Sequence, residues 1–316
     1  MALLTSSIGS FPKPRALQNA RRRFSEGEID AAALRREEDE GTRSVLNFQD
    51  ELGISLLVDG EMDRADPITT FAERLSGVEM NGWVRAYGDR YVRRPRITGS
   101  LGRTASTTVD RWRFARDAAR GAVKAVLPGP YSLMDGSFDE HYDSRREVCL
   151  AFAEIVRDEA AELAAAGAIE IQLDEPSAGA RPAELSLMAE ALGRVVAPLH
   201  GRARVWLYLG YADLDAVGAQ LAVLPANGLL VAGAHCHYEG FERFANAIPE
   251  DRFVGIGVID VLDPRVETED EVRDRLAIVS RLLPRDRLWA VPDGGLRAMR
   301  ADVARAKLAA MVAAAK

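Results

Sequence analysis

The sequence is poor in the residues that build metal centres and disulfide frameworks. Its 316 residues include only two cysteines and four histidines. Two cysteines are too few to indicate a disulfide framework. No apolar run approaches the roughly 20 residues that a membrane helix needs. The first residues lack the basic flank and apolar core of a signal peptide, so we expect a cytoplasmic protein without a membrane segment.

The chain also lacks an excess of positive charge. Its formal net charge is -7, whereas nucleic acids and anionic membranes bind basic surfaces. The sequence contains no Walker loop, no dinucleotide-binding glycine fingerprint and no Gly-x-Ser-x-Gly elbow. These absences leave a small-molecule substrate as the expected partner. They say nothing about the oligomeric state.

Eight short apolar runs organise the sequence. They are rich in Val, Ile and Leu and lack polar alternation, which is typical of strands buried on both faces. Helical patterns lie between them, and this repetition predicts parallel strands with right-handed crossovers. The runs are Thr5–Pro12, Ile54–Glu61, Ala122–Pro130, Ala168–Pro176, Arg204–Tyr211, Gly228–His237, Phe253–Asp260 and Leu288–Gly295.

This pattern predicts a single α/β domain over residues 1–316, folded as a (β/α)8 TIM barrel. The segment Ala16–Gly53 is expected to form a helical hairpin after the first strand. An insertion after strand two, over about residues 62–121, is expected to carry a β-hairpin that lies over the barrel mouth. All eight strands of such a barrel open onto one face, so polar groups at the run ends should converge on one pocket.

Three run ends carry polar groups suited to binding or to acid–base chemistry. Asp174 and Glu175 end the fourth run. Because adjacent strand residues point to opposite faces, we expect Asp174 to enter the pocket and Glu175 to brace a loop; a structural ion pair with an arginine is the alternative for Asp174. Glu61 ends the second run. Ser10, beside Gly9, offers a hydroxyl and backbone N–H groups to a carboxylate ligand.

The sequence His235-Cys236-His237 is the only cluster of soft metal ligands. On an extended segment His235 and His237 would share a face, which is an arrangement of metal ligands. No third ligand is evident apart from a carboxylate of another strand. The alternative is two polar histidines at a strand end, hydrogen-bonded or hydrated, and we therefore expect no metal.

Seven motifs occur along the chain in the order IGSFP, LLVDGE, NGWVRAYGDR, LPGPYS, IQLDEP, GIGVID and LWAVPDGGL. Together they resemble the C-terminal catalytic barrel of the cobalamin-independent methionine synthase family, over nearly the whole chain. The resemblance implies a TIM barrel that moves a methyl group from methyltetrahydrofolate to homocysteine. It also implies a zinc ion that lowers the pKa of the acceptor thiol.

The resemblance implies that five residues hold the amino-acid substrate. They are Ile8, Gly9, Ser10, Glu61 and Asp174.

On the pterin side, the resemblance implies roles for Arg90 and Tyr91, although Tyr91 replaces a cysteine. Trp83, in the same motif, joins them as a candidate cofactor-binding residue. Other pterin contacts are lost, since Gly136 stands about where the family has a Trp and Ala180 about where it has a Glu. A folate such as methyltetrahydrofolate therefore stays open as a cofactor.

The positions of the family's zinc ligands hold other residues. The His-x-Cys pair falls on Tyr208 and Gly210, the zinc-binding Glu on about Ala232 or Gly233, and the last Cys on Gly294. Zinc is therefore not expected. Without a metal, a thiol with a pKa near ~8.5 is only a few per cent ionised at pH 7.

Three functions remain open. The first is a methionine-synthase-like enzyme with altered chemistry: a zinc-independent methyl, one-carbon or related alkyl transferase acting on a small amino-acid-like substrate. Its catalytic candidates are Glu61, Asp174, Tyr208 and His235. The second is a folate-dependent homocysteine S-methyltransferase with a metal site rebuilt at His235 and His237. The third is a non-catalytic barrel that binds a small molecule.

Overall fold

A curled sheet of seven parallel strands forms the centre of the computed structural model, which describes residues 2–85 and 91–316. The order of its strands is β1-β10-β9-β8-β7-β6-β4, and β2, β3 and β5 form a second, smaller sheet. The strands are β1 (Leu4–Thr5), β2 (Ser76–Arg85), β3 (Tyr91–Gly102), β4 (Ala125–Pro128), β5 (Phe138–Asp139), β6 (Glu170–Asp174), β7 (Arg204–Tyr208), β8 (Gly228–Val231), β9 (Phe253–Ile259) and β10 (Leu288–Pro292).

Helices alternate with the strands of the large sheet, as right-handed crossovers between parallel strands require. They are α1 (Arg15–Ser25), α2 (Ala31–Leu52), α3 (Pro67–Ala72), α4 (Val109–Ala118), α5 (Pro130–Asp135), α6 (Arg145–Ala165), α7 (Leu185–Val196), α8 (Leu214–Ala222), α9 (Phe241–Ala247), α10 (Glu269–Val279) and α11 (Ala301–Ala315). Within the described ranges, no helix combines the length and the hydrophobicity that crossing a bilayer demands.

The second predicted strand closes the sheet into a barrel, although it is too short to form a regular strand. Isolated parallel bridges join Ser6 to Leu56 and Leu57 to Val123. The backbone N–H of Lys124 donates to the carbonyl of Leu57 over 2.9 Å. This segment therefore connects β1 with β4, the two edge strands of the sheet. The predicted α/β barrel is confirmed.

Side chains two residues apart on one strand fill the inside of the barrel, because alternate residues of a strand share a face. Trp206 and Tyr208 of β7 and Trp289 and Val291 of β10 belong to this inner cluster, together with Ile8. A larger apolar core lies between the sheet and the helices. The inner cluster lies below the polar residues at the strand ends.

Both predicted additions to the barrel are present. The helices α1 and α2 form the hairpin after the first strand, and β2 pairs with β3 antiparallel. The β-hairpin is hydrogen-bonded to α3 and to the end of α5, since Arg94 donates to the carbonyls of Asp135 and Gly136 and the Thr69 hydroxyl donates to the carbonyl of Arg93. Its turn, with the predicted Gly-Asp pair, lies outside the described residues. That the insertion covers the barrel mouth stays a prediction.

Candidate active site

The carboxyl ends of the parallel strands open onto one face, here called the mouth. In register, Pro128 of β4 lies beside Asp174 of β6, and Asp174 lies beside Tyr208 of β7. Glu61 follows the second strand, and Asp293 follows β10. Residues far apart in the chain thus approach one another, as expected at the top of such a barrel.

Glu61 is held in an unusual backbone conformation. Its φ is +54°, a region that residues other than glycine rarely adopt. The Glu61 N–H donates to the Asp59 carboxylate over 2.9 Å, and the Lys13 ammonium donates to the carbonyls of Gly60 and Glu61. Backbone strain of this kind persists where the surroundings over-determine it and is common at functional sites. It fixes the direction of the Glu61 side chain.

The Glu61 carboxylate points into the mouth. Its side chain is 3% exposed, and Oε2 lies 3.2 Å from Nη2 of Arg297. A Cβ on Gly9 would stand 2.8 Å from Oε1 of Glu61. The residue at position 9 must therefore be glycine for the carboxylate to lie against the first strand.

Asp174 is a half-buried carboxylate with few partners from the chain. The side-chain amide of Gln172 donates to its Oδ1 over 2.5 Å. Burial raises the pKa of Asp174 to about 7, the nearby negative charge of Glu61 acts in the same direction, and Lys124 and Arg64 act against both. A bound cation would favour the ionised form of Asp174.

Glu175 has a different role from its neighbour, as the alternation of strand side chains requires. It is fully buried, and its two oxygens accept the backbone N–H groups of Tyr131 and Ser132 over 2.9 and 2.7 Å. Burial raises the pKa of Glu175 to about 7. This carboxylate fastens the start of α5 to the barrel.

Two buried cations below Asp174 were not predicted. Lys124 is 2% exposed and donates to the carbonyl of Ser7 over 3.0 Å, and burial lowers the pKa of Lys124 to about 7. Arg64 is buried and donates to the carbonyl of Val126 over 2.9 Å. The sequence did carry a signal for Lys124, since it is a single lysine within the apolar run that forms β4.

The remaining predicted substrate-binding residues lie beside these carboxylates. The carbonyl of Ile8 accepts the side-chain amide of Gln172 over 2.7 Å, while the side chain of Ile8 enters the barrel interior. Leu296 N–H donates to the carbonyl of Ser10 over 2.7 Å. A Cβ on Gly295 would stand 2.2 Å from the Ser10 hydroxyl oxygen. We call Ser10, Glu61, Asp174 and Arg297 the carboxylate side of the mouth.

Two phenol groups occupy the adjacent part of the mouth. The hydroxyl of Tyr208 donates to the carbonyl of Asp293 over 3.1 Å. A Cβ on Gly294 would stand 2.8 Å from the Tyr211 hydroxyl oxygen and 3.1 Å from that of Tyr208. The tyrosines therefore take the space into which a side chain at position 294 would extend.

Asp293 organises the loop after β8. It is fully buried; its Oδ1 accepts the N–H groups of Gly233 and Ala234 over 2.9 and 3.0 Å, and its Oδ2 accepts the N–H of His235 over 2.7 Å. The same Oδ2 lies 3.3 Å from Nδ1 of His235, whose ring packs edge-on against Tyr211. Burial raises the pKa of Asp293. The PDGGL motif contains Asp293, but its partners become visible only in the fold.

We call Tyr208, Tyr211, His235, Asp293 and Gly294 the tyrosine side of the mouth. Beside it opens a cavity of about 280 Å³, whose lining includes Tyr211, His235, Cys236 and three acidic residues. Because Gly294 follows Asp293 and precedes Gly295, which packs on Ser10, the two sides of the mouth are contiguous.

Comparison with known proteins places this barrel in a family. The model of the cobalamin-independent synthase catalytic domain matches residues 3–316. The chain belongs to this family. The predicted resemblance is thereby confirmed, together with the fold that it implies.

Relatives of the family have similar sequences. A 5-methyltetrahydropteroyltriglutamate–homocysteine methyltransferase of Mycolicibacterium paratuberculosis is 35% identical over 99% of this chain, and one of Caulobacter vibrioides is 30% identical over 99%. This chain spans 43% and 42% of their respective lengths, less than half of the curated relatives it matches.

Solved structures share the whole fold. A B12-independent methionine synthase from Shewanella sp. W3-18-1, in complex with selenomethionine, superposes with a TM-score of 0.83 at 26% identity and covers 100% of this chain and 97% of that one. A protein described as a putative vitamin-B12-independent methionine synthase, from Listeria monocytogenes, reaches a TM-score of 0.82 at 19% identity over 99% and 98% of the two chains, which shows a common fold.

The tyrosine side of the mouth includes positions at which the resemblance implies zinc ligands. Tyr208 and Gly294 stand at two of the positions implied for zinc ligands, and the phenol oxygens crowd position 294. In the part of the chain that the structure describes, no three His, Cys, Asp or Glu residues are grouped so as to hold a metal ion.

The expected geometry of His235 and His237 is wrong. The segment is not extended: Ala234–Cys236 forms a short 3-10 helix, and His237 follows with a φ of +51° and an exposed side chain. The physical reason is Asp293, whose carboxylate accepts the N–H groups of three successive residues and so stabilises a turn in this loop. The two histidines therefore do not share the face of a strand.

Two of the three predicted cofactor-binding residues, Trp83 and Tyr91, belong to the β-hairpin. Trp83 of β2 is 70% exposed and lies opposite Arg93 of β3. Tyr91 begins β3 opposite Arg85, and Arg90 lies outside the described residues. The assignment of these residues to a folate stays a prediction.

Proposed function

We propose that this member of the cobalamin-independent synthase family is a zinc-independent transferase that acts on a small amino-acid-like substrate and moves a methyl, one-carbon or related alkyl group. One observation carries the proposal. The tyrosine hydroxyls crowd position 294, while Glu61 and Asp174 remain together at the other side of the mouth. The names of the relatives, which describe homocysteine methyltransferases, support the group that is transferred.

The carboxylate side suits the binding of an ammonium group. Asp174 accepts a single hydrogen bond from Gln172 among the described residues, so it has lone pairs left for a ligand. Its pKa near 7 and the proximity of Glu61 mean that the two carboxylates repel each other when no cation is bound. The amine of an amino acid would relieve this repulsion. The bound selenomethionine of the Shewanella relative supports a ligand of this type.

Acid–base chemistry is assigned to the tyrosine side. Burial holds the pKa of Tyr208 well above its usual range, so its hydroxyl stays protonated and can act as a donor. His235 lies with Nδ1 near the buried Asp293 carboxylate, an arrangement that can orient the ring as a base. In a site without zinc, a group of this type must accept the proton of the attacking nucleophile. A reduced folate is the methyl donor that we propose.

A ligand screen with matched variants tests this function. Amino acids and reduced folates are screened by thermal shift, and mass spectrometry follows transfer of the methyl group. We expect an amino acid to raise the melting temperature of the wild type but not of E61Q or D174N.

The matched control is E170Q. Glu170 lies on the same strand as Asp174 but at its other end, where it accepts the indole N–H of Trp206 over 2.7 Å. E170Q should lose stability without losing the ligand-induced shift. If no amino acid and no folate shifts the wild type, the proposal is rejected. Binding of a ligand without any turnover would favour a non-catalytic barrel.

A further inference from the structure

Arg297 lies over the Glu61 carboxylate at the carboxylate side of the mouth. Its Nη2 is 3.2 Å from Oε2 of Glu61, and its Nη1 donates to the carbonyl of Ala65 over 2.6 Å. The side chain of Arg297 is 22% exposed, whereas that of Glu61 is 3% exposed. The guanidinium is therefore the more accessible of the two charged groups.

The guanidinium is not fully satisfied by the protein. Its Nε is buried and has no hydrogen-bond partner among the described residues. A buried donor without a partner costs free energy. Moving Arg297 toward a better acceptor would therefore break fewer hydrogen bonds than moving a guanidinium whose donors are all bonded. The loop that carries Arg297 also packs on Ser10, because Leu296 N–H donates to the Ser10 carbonyl.

A second basic side chain, that of Lys13, lies close to Arg297 and Glu61. The Lys13 ammonium donates to the carbonyls of Gly60 and Glu61. Burial lowers the pKa of Lys13 to about 7, and the charge of Arg297 acts in the same direction. An anionic group placed between these cations would be stabilised by both.

We propose that Arg297 is a specificity-determining residue that selects ligands with a free α-carboxylate by exchanging partners. In this exchange the Arg297–Glu61 ion pair opens. Arg297 then pairs with the carboxylate of the ligand, and Glu61 pairs with the ligand's ammonium group, which also contacts Asp174. This inference rests on the proposed function, since it takes the amino-acid-like ligand as given. To the proposed function it adds Arg297 as the residue that discriminates an amino acid from an amine without a carboxylate.

The exchange requires both charges on one molecule. An amine without a carboxylate must displace Arg297 from Glu61 and leaves the guanidinium without an anion. A carboxylate without an amine draws Arg297 away and leaves Glu61 buried and unpaired, which is strongly unfavourable. Each half of the ligand should therefore bind far more weakly than the whole.

Isothermal titration with L-methionine and its two half-analogues tests the exchange on the unmodified protein. The half-analogues are 3-(methylthio)propylamine, which lacks the carboxylate, and 4-(methylthio)butanoate, which lacks the amine. We expect each to bind at least about tenfold more weakly than L-methionine, because one charge-assisted contact is lost and a buried charge is left unpaired.

Variants then assign the effect to the residue. In R297M, the affinity for L-methionine should fall by at least about tenfold, whereas the propylamine should bind as well as or better than it binds the wild type, since Glu61 is no longer occupied. The control is R300M, because Arg300, three residues after Arg297, is exposed and pairs with Asp302. R300M should leave all three affinities unchanged.

The possible failures can be told apart. If L-methionine and the propylamine bind the wild type equally well, or if R297M weakens both alike, the role of Arg297 is rejected while amino-acid binding stands. If neither L-methionine nor any other α-amino acid binds, the proposed function itself fails and the role of Arg297 falls with it. Equal binding of L-methionine and the propylamine to the wild type would reject the exchange even if R297M does not fold.

Discussion

The two sides of the mouth differ in how many hydrogen bonds the chain donates to their carboxylates. On the tyrosine side, Asp293 accepts three backbone N–H groups and lies near the His235 ring. On the carboxylate side, Asp174 accepts one side-chain amide, and Glu61 pairs with Arg297. A carboxylate saturated by its own chain is part of the fold, while one left with free lone pairs is available to a ligand.

The tyrosine side also contains Tyr208 and Gly294, which stand at positions where the resemblance implies zinc ligands. The tyrosine side is well packed. Its phenols fill the space at Gly294, and Asp293 holds the neighbouring loop in one conformation. The carboxylate side keeps the charges that an amino acid needs. In the proposed function, the carboxylate side binds the ligand, and the tyrosine side replaces the metal site that the resemblance implies.

The largest effect is expected on the carboxylate side. In D174N and E61Q, the affinity for an amino-acid ligand should fall by about 100-fold, because losing one partner of a buried charge pair costs about 2–5 kcal/mol. Isothermal titration measures the loss, with E170Q as the control. An unchanged affinity in both variants would mean that the ligand's amine lies elsewhere.

On the tyrosine side, a single methyl group should destabilise the fold. In G294A the new Cβ meets two phenol oxygens, which should lower the free energy of unfolding by about 1–3 kcal/mol. Urea denaturation measures the change. In the control G193A, the Cβ meets open space on α7, and alanine should stabilise that helix by about 0.5–1 kcal/mol. Equal behaviour of the two variants would contradict the crowding at position 294.

The raised pKa of Asp174 predicts a pH-dependent stability. Asp174 titrates near 7 in the folded protein and near its ordinary value of 3.8 when unfolded. Between these values the folded state binds more protons, so this residue makes stability fall as the pH rises. D174N removes the dependence, and its advantage in stability over the wild type should grow from pH 4 to pH 7 and then level off. A constant difference in urea titrations across this range would show that Asp174 is not perturbed.

The smallest effect is expected at the β-hairpin. Trp83 is 70% exposed, so W83A should change the stability by no more than about 0.5 kcal/mol. If the ring stacks on a folate, the affinity for a reduced folate should fall about two- to tenfold, since an aromatic pair is worth about 0.5–1.5 kcal/mol. W83F should restore most of it. An unchanged folate affinity in W83A would remove Trp83 from the cofactor site.

The sequence predicts the barrel because its strands are short apolar runs with helices between them. The second strand is visible as the run that ends at Glu61, although only Leu56 and Leu57 form bridges. The separate roles of Asp174 and Glu175 follow from strand alternation alone. These features depend on local pattern, which a single sequence contains.

What the sequence did not predict depends on contacts between distant segments. The turn at His235 is set by Asp293, 58 residues away, and the guanidinium of Arg297 reaches Glu61 across 236 residues. No local pattern around His235 distinguishes a 3-10 turn from an extended strand end. Lys124 was open to prediction, since a lysine within an apolar strand must find a partner inside the barrel.

The most direct test of the two-sided mouth is the zinc content of the protein, measured by plasma mass spectrometry after purification without chelator or tag from zinc-supplied cells. Amino-acid binding is titrated on the same sample. We expect no stoichiometric zinc in a protein that still binds its amino-acid ligand. One zinc ion per chain, lost in H235A, would contradict it.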